Sequence, residues 1–251
     1  MAATITDPAT RLIALLRRGL PTGNNQQLLE FWRAAFGLPK EASQLDIFRG
    51  LALLWALVDE VERGVTQIPD LNHEVYLRSL PKILEVASRP NLQENWTAYK
   101  PVLEMAVNGL EFCAERLQAY NPETVIEQTE LDEIRKQVDD LLEKVKSSES
   151  LPVKLKYVLF DLLAALRRAI DEYQIRGTRG LRRELFVIVA QFEDNWELVV
   201  KNEDKEEVRG FFKILKEVDK ATSVAARVKE LIAPIAPYIP ILTEGFHHLL
   251  K

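Results

Sequence analysis

The residues best suited to chemistry, by type and spacing, form an arginine-rich stretch. In YQIRGTRGLRREL, Arg176, Arg179, Arg182 and Arg183 crowd around Gly177 and Gly180, with Arg167 and Arg168 preceding them by roughly two or three helical turns. Thr178 is placed to cap the helix that follows. Guanidinium groups gathered at a helix N-terminus, where the first backbone amides lack intrahelical partners, make an anion site suited to phosphate or to a partner's acidic surface. The same residues also fit a plain helix-to-helix turn, with Gly177 as C-cap and the arginines paired to Asp171, Glu172 and Glu184. The turn is the simpler reading, because the stretch is neither a P-loop nor a dinucleotide fingerprint. It has no interleaved aromatics on which nucleic-acid bases could stack.

Other reactive residue types are sparse. The single cysteine, Cys113, falls in an apolar helical stripe and reads as a small buried hydrophobe, since a catalytic thiol needs a base nearby and the chain holds only His73, His247 and His248. His73 and Glu74 are adjacent rather than a turn apart, so LNHEVYLRSL is not an HExxH zinc site, and Asn72 is a plausible N-cap for the helix they open. His247 and His248 point about 100° apart on a helix and would chelate one ion poorly. The acidic run Glu203, Asp204, Glu206 and Glu207 lacks the alternating ligands and glycine turn of a calcium loop. No catalytic residue, metal site or cofactor is expected.

The elements that must carry these residues are helices. Ile47, Leu51, Leu54, Val58 and Val61 form one stripe, opened by Ser43 with Asp46 three residues on and closed by Gly64. Further stripes run through Tyr99 to Leu117, Leu131 to Val145, Leu155 to Tyr173, Leu181 to Phe192 and Val208 to Val218. Shorter helices fit Asp7 to Leu20, Asn25 to Phe36 stopped by Gly37, and Asn72 to Ala87 bent at Pro81. No segment alternates as a strand. The expectation is an all-α multi-helix bundle of about nine or ten mostly antiparallel helices with a Pro-rich apolar C-terminal segment, because the apolar stripes are too wide for a two-stranded coil. The best boundary is the proline-bearing NPETVIEQ stretch. It divides the chain into a helical bundle over 1–122, a second helical part over 123–223 that is open to being continuous with the first, and the segment 224–251.

That last segment, with VAARVKELIAPIAPYIPILTEGFHHLL, is mostly apolar and carries prolines at 234, 237 and 240, each of which disfavours helix before it. Two readings compete: a strap over the bundle, or an interaction surface in which Ile235, Tyr238, Ile239, Ile241 and Phe246 meet a partner, a second copy or a lipid interface. Composition narrows the rest. With 33 Lys+Arg against 38 Asp+Glu the net charge is −5, too acidic for a protein that neutralises many phosphates, so no nucleic-acid partner is expected. A content of 47% hydrophobic and 28% charged residues excludes a disordered chain. A lone cysteine, no signal peptide and no stretch approaching ~18 uncharged residues suit a reducing, cytoplasmic home, with any membrane contact limited to the C-terminal segment.

Three stretches carry a resemblance: DLNHEVYLRSLPKI at Asp70 to Ile83, GLEFCAERL at Gly109 to Leu117, and RRAIDEYQIRGTRGLRREL at Arg167 to Leu185. Over roughly the first 200 residues the chain resembles a group of bacterial all-helical proteins with no established activity. The resemblance implies a bacterial source and, more loosely, the accessory proteins of bacterial conflict or antiphage defence. It transfers no catalytic residue. The function expected is a non-enzymatic interaction protein (an adaptor, immunity factor or defence-associated module) that binds a protein partner or itself. The alternatives are a membrane-acting effector that inserts its C-terminal segment, and a phosphate- or nucleotide-responsive protein that uses the arginine-rich turn.

Overall fold

The computed structural model describes residues 5–222, and these form the expected all-α fold. The helices are α1 (Pro8–Gly19), α2 (Leu28–Ala35), α3 (Gln44–Thr66), α4 (His73–Leu77), α5 (Leu80–Ala87), α6 (Lys100–Tyr120), α7 (Gln128–Ser147), α8 (Val153–Asp171), α9 (Tyr173–Glu193), α10 (Trp196–Val200) and α11 (Glu206–Ala221). Sheet among the described residues is limited to β1 (Ile5–Thr6), antiparallel to β2 (Glu123–Thr124), with Ile5 opposite Thr124 and Thr6 opposite Glu123. Strands of two residues are too short to alternate, which is why no period in the sequence announced them. Ile235, Tyr238, Ile239, Ile241, Phe246 and the histidine pair His247 and His248 lie outside the described residues. No helix among the described residues is long and apolar enough to cross a membrane.

Local chemistry explains where the helices start and stop. Asp7 caps α1 by accepting from the Thr10 amide at 3.0 Å, with Pro8 at the first helical position where its missing N–H costs nothing. Ser43 and Asp46 close a reciprocal capping box on α3. That helix continues past Gly64 to Thr66, because Gly64 is not a stop but a close approach. A Cβ there would lie 2.9 Å from Leu117 Cδ2 of α6. Pro81 separates rather than bends: the 72–87 stretch breaks into α4 and α5, with Pro81 in the first turn of α5. The second helix starts later than Asn25, since Leu28 N and Leu29 N donate to Glu94 O and Leu92 O at 2.8 and 2.9 Å, and Gln27 bridges Asn95.

The chain divides into two compact units, the first made of residues up to 125 together with 171–180, the second of 126–170 and 181 onward. A division by position along the chain at 122 does not separate them, because the 171–180 stretch returns to the first unit. In that unit α1 packs on α2, α3 and α6. Gln118 reaches Thr10 at 3.0 Å and Arg17 pairs with Glu111, so α1 and α6 run antiparallel. Phe31, Trp32 and Trp96 are fully buried. Phe31 stacks on Trp96 with ring centroids 4.3 Å apart, and the Trp96 indole donates to Thr22 O at 3.0 Å. Such side chains each contribute roughly 2–3 kcal/mol by leaving water.

In the second unit α7 pairs with α11. Lys144 meets Glu206 at 2.6 Å and Gln137 meets Glu217 at 2.6 Å, the order of an antiparallel pair. Leu131, Ile134, Val138, Leu141 and Val145 line the inner face of α7, and Val208, Phe211, Ile214 and Val218 that of α11. Phe192 of α9 stacks on Phe211 at 5.6 Å.

Candidate functional site

The arginine-rich stretch is built around a break in α9. Gly177 has φ +64° and ψ −172°, and the helix resumes after it. The Thr178 hydroxyl is buried and turned onto the first unit's short sheet. It donates to Thr124 O of β2 at 2.6 Å, which leaves the Tyr173 hydroxyl to donate to Thr178 Oγ1 at 3.0 Å. Arg176 Nε meets Glu172 at 2.6 Å, one turn earlier. Arg179 Nε meets Glu123 at 3.0 Å. Arg182 lies in the second unit and donates to Thr222 O at 2.6 Å, close to Asp219, whose carboxyl burial raises while Arg182 pulls it down. Arg183 is exposed. Arg176 and Arg179 thus share the first unit with Glu172 and Glu123, while Arg182 and Arg183 belong to the second.

Glu123 is the centre of a buried ionic cluster that the sequence did not single out. Its side chain is 3% exposed and takes Arg11 of α1 at 3.3 Å and Arg179 at 3.0 Å on the same oxygen, Oε1. Arg11 also reaches Glu60 of α3 at 3.1 Å and donates to Ile175 O. Glu123 Oε2 and Arg11 Nε have no hydrogen-bond partner among the described residues. Gly177 passes directly over both. A Cβ there would lie 2.8 Å from Arg11 Nε and Cζ and 2.9 Å from Glu123 Oε2. Burial, the largest influence, holds the Glu123 carboxyl above the ordinary value; Arg11 and Arg179 pull it down and Glu60 pushes it up. The cluster therefore binds α1, α3, β2 and the 171–180 stretch together. A groove of about 250 Å³ beside it is lined by Arg11, Arg18, Gln174 and Ile175. Arg18 donates to Gln174 and Arg11 to Ile175, so the protein itself engages both cations. The groove is also smaller than ordinary ligand pockets, roughly 300–1,000 Å³.

Among the described residues, Cys113 and His73 serve the fold. Cys113 is fully buried on α6, its thiol donating to Tyr76 O at 3.1 Å. Burial, helped by the negative charge of Asp7, pushes that thiol up to about 11. At pH 8 only about one thiol in a thousand is then the nucleophilic thiolate. Iodoacetamide is accordingly expected to leave the folded protein unmodified at pH 8 and to label Cys113 fully in denaturant, as read by intact mass. Rapid labelling without denaturant would contradict the burial. His73 sits in the first turn of α4 and bonds Ile68 O at 2.9 Å through Nε2. Among the described residues, no three His, Cys, Asp or Glu side chains are grouped to hold a metal ion.

What the described surface does offer is apolar helix faces turned outward. On α3, Leu45, Phe48 and Trp55 are 58%, 51% and 47% exposed, with exposed Ala52 between them. These positions follow 3-4-3 spacing on a face about 110° round the helix from the buried Ile47, Leu51, Leu54 and Val58. Asp59 and Glu62 continue the line in exposed positions. On α8, Val153, Tyr157 and Phe160 are 69%, 68% and 43% exposed. Single exposed apolar residues are ordinary, whereas helical rows of them mark contact surfaces. A signal for these rows existed in the sequence, as a second 3-4 spacing out of phase with the inner stripe.

No family model, curated protein or solved structure matches this chain. The resemblance to bacterial helical proteins stands on its three stretches alone.

Proposed function

We propose that this protein is a non-enzymatic helical interaction module whose first unit binds an amphipathic helix of another protein along the outer face of α3. The observation that carries this reading is the row Leu45, Phe48, Ala52 and Trp55, a seam of coiled-coil period held outward on a helix whose inner face is locked in the core. A second helix laid on such a seam buries the indole and the phenyl ring, the side-chain types that dominate binding energy at protein interfaces. Glu62 at the end of the row, beside Asp59 that Arg63 pairs at 2.6 Å, favours an occupant with a basic residue beyond its apolar seam. The clustered charged groups support a binding role over catalysis: Arg11, Glu123, Arg176 and Arg179 each pair with another side chain of the protein itself. The single buried cysteine fits a reducing, cytoplasmic setting.

Selection of a displayed library of helical peptides on the immobilised full-length chain tests this. Enriched peptides are expected to repeat apolar residues at 3-4 spacing followed by Lys or Arg, with micromolar affinity. Trp55→Glu should weaken capture by at least about tenfold, in line with loss of an interfacial aromatic, while leaving the melting temperature unchanged. Peptides of unrelated pattern, or capture indifferent to Trp55→Glu, would remove the proposal.

A further inference from the structure

The exposed row on α8 has a property the α3 row lacks: it complements itself. Val153, Tyr157, Phe160 and Ala164 follow 4-3-4 spacing on one face, exposed at the first three positions and half-buried at the last. Leu155, Leu159, Leu162, Leu163 and Leu166 hold the opposite side of α8 in the second unit's core, so the row is fixed outward. Lys154 and Asp161, both exposed, each follow a row residue by one position and therefore share one flank of the seam, seven residues apart.

We propose that the outer face of α8 is a homodimer interface, occupied by α8 of a second copy running antiparallel about a twofold axis between residues 158 and 159. In that register Tyr157 of each copy faces Phe160 of the other, and Val153 faces Ala164, setting aromatic against aromatic at the centre of the seam and small residues against each other at its ends. An antiparallel pair brings the same flank of both helices together, so each Lys154 stands beside the other copy's Asp161, giving two opposite-charge pairs. A twofold interface must match itself in this way, residue i meeting j and j meeting i, and it is the commonest form of protein assembly. A slip of one heptad would set Asp161 against Asp161 and Lys154 against Arg168, so charge selects the register. Neither the α3 seam nor a foreign partner enters this argument, and the two proposals stand or fall separately.

Sedimentation equilibrium of the full-length chain at micromolar concentrations tests it. The wild type is expected to dimerise reversibly to twice its 28.7-kDa mass, and Tyr157→Glu to be monomeric with unchanged circular dichroism. Asp161→Lys and Lys154→Asp, both at exposed positions, should each weaken self-association by at least about tenfold, as attractive pairs become repulsive. Mixed one to one, those two variants should pair as strongly as the wild type, because each supplies the charge the other lacks. A wild type that stays monomeric, as expected where residues 223–251 or another protein cover the row, would overturn the proposal. So would a dimer indifferent to Tyr157→Glu, or a mixture that does not pair.

Discussion

Replacing Gly177 by alanine is expected to destabilise the first unit by about 2–6 kcal/mol, adding backbone strain and overpacking of roughly 1–3 kcal/mol each. The strain arises because φ +64° with ψ −172° lies where an L side chain collides with its own backbone. The overpacking arises because the new methyl would sit 2.8 Å from Arg11 Nε and 2.9 Å from Glu123 Oε2. Neither atom yields easily: Arg11 is fixed by Glu60, Glu123 and Ile175 O, and Glu123 by Arg11 and Arg179. At about 2–4 °C per kcal/mol for a chain of this size, the melting temperature should fall by about 4–24 °C. Gly23→Ala is the control, since its methyl meets nothing nearer than 3.6 Å and should leave the transition within about 1 °C. Hydrogen exchange should show the loss of protection concentrated at β1, β2 and 171–180. An alanine variant that melts with the wild type would mean that Gly177 is not held by the cluster beneath it.

The helices were legible because each signal was local. Asp7 with Pro8 and Ser43 with Asp46 announced starts within four residues, and the capping bonds formed as the spacing required. The inner stripe of α3 emerged as Ile47, Leu51, Leu54, Val58 and Val61, all buried. What was illegible depended on residues far apart in the chain. Gly64 reads as a helix stop until Leu117 of α6 is placed against it. Glu123 sits in a polar linker and shows no period; its role requires Arg11, 112 positions earlier, and Arg179 beyond it. The arginines at 176 and 179 were visible by type, but their partners were not all those expected: Arg176 meets Glu172, one turn away, whereas Arg179 meets Glu123 across the unit. Outward rows on α3 and α8 share the period of the buried ones, and only packing shows which of two interleaved rows faces the core.

The second large effect belongs to Glu123 itself, and its size depends on what replaces it. Glu123→Ala is expected to cost up to about 3–5 kcal/mol, because it removes the carboxylate that Arg11 and Arg179 share in a buried ionic group and leaves Arg11 with Glu60 alone. Glu123→Gln keeps the volume and an accepting oxygen, and it should cost much less. The pH dependence separates charge from shape. Burial raises the carboxyl above its unfolded value against the pull of Arg11 and Arg179, so the folded state binds a proton more readily than the unfolded chain. The stability this contributes is complete below the unfolded value, near ~4.3 for a glutamate, and is lost as pH rises through the folded value. Wild type should therefore gain on Glu123→Gln as pH falls from neutral toward that range, while all other carboxylates cancel in the comparison. Paired melting curves of the two proteins across that interval measure it. A gap that widens in favour of wild type with rising pH would show that the two arginines, and not burial, govern Glu123.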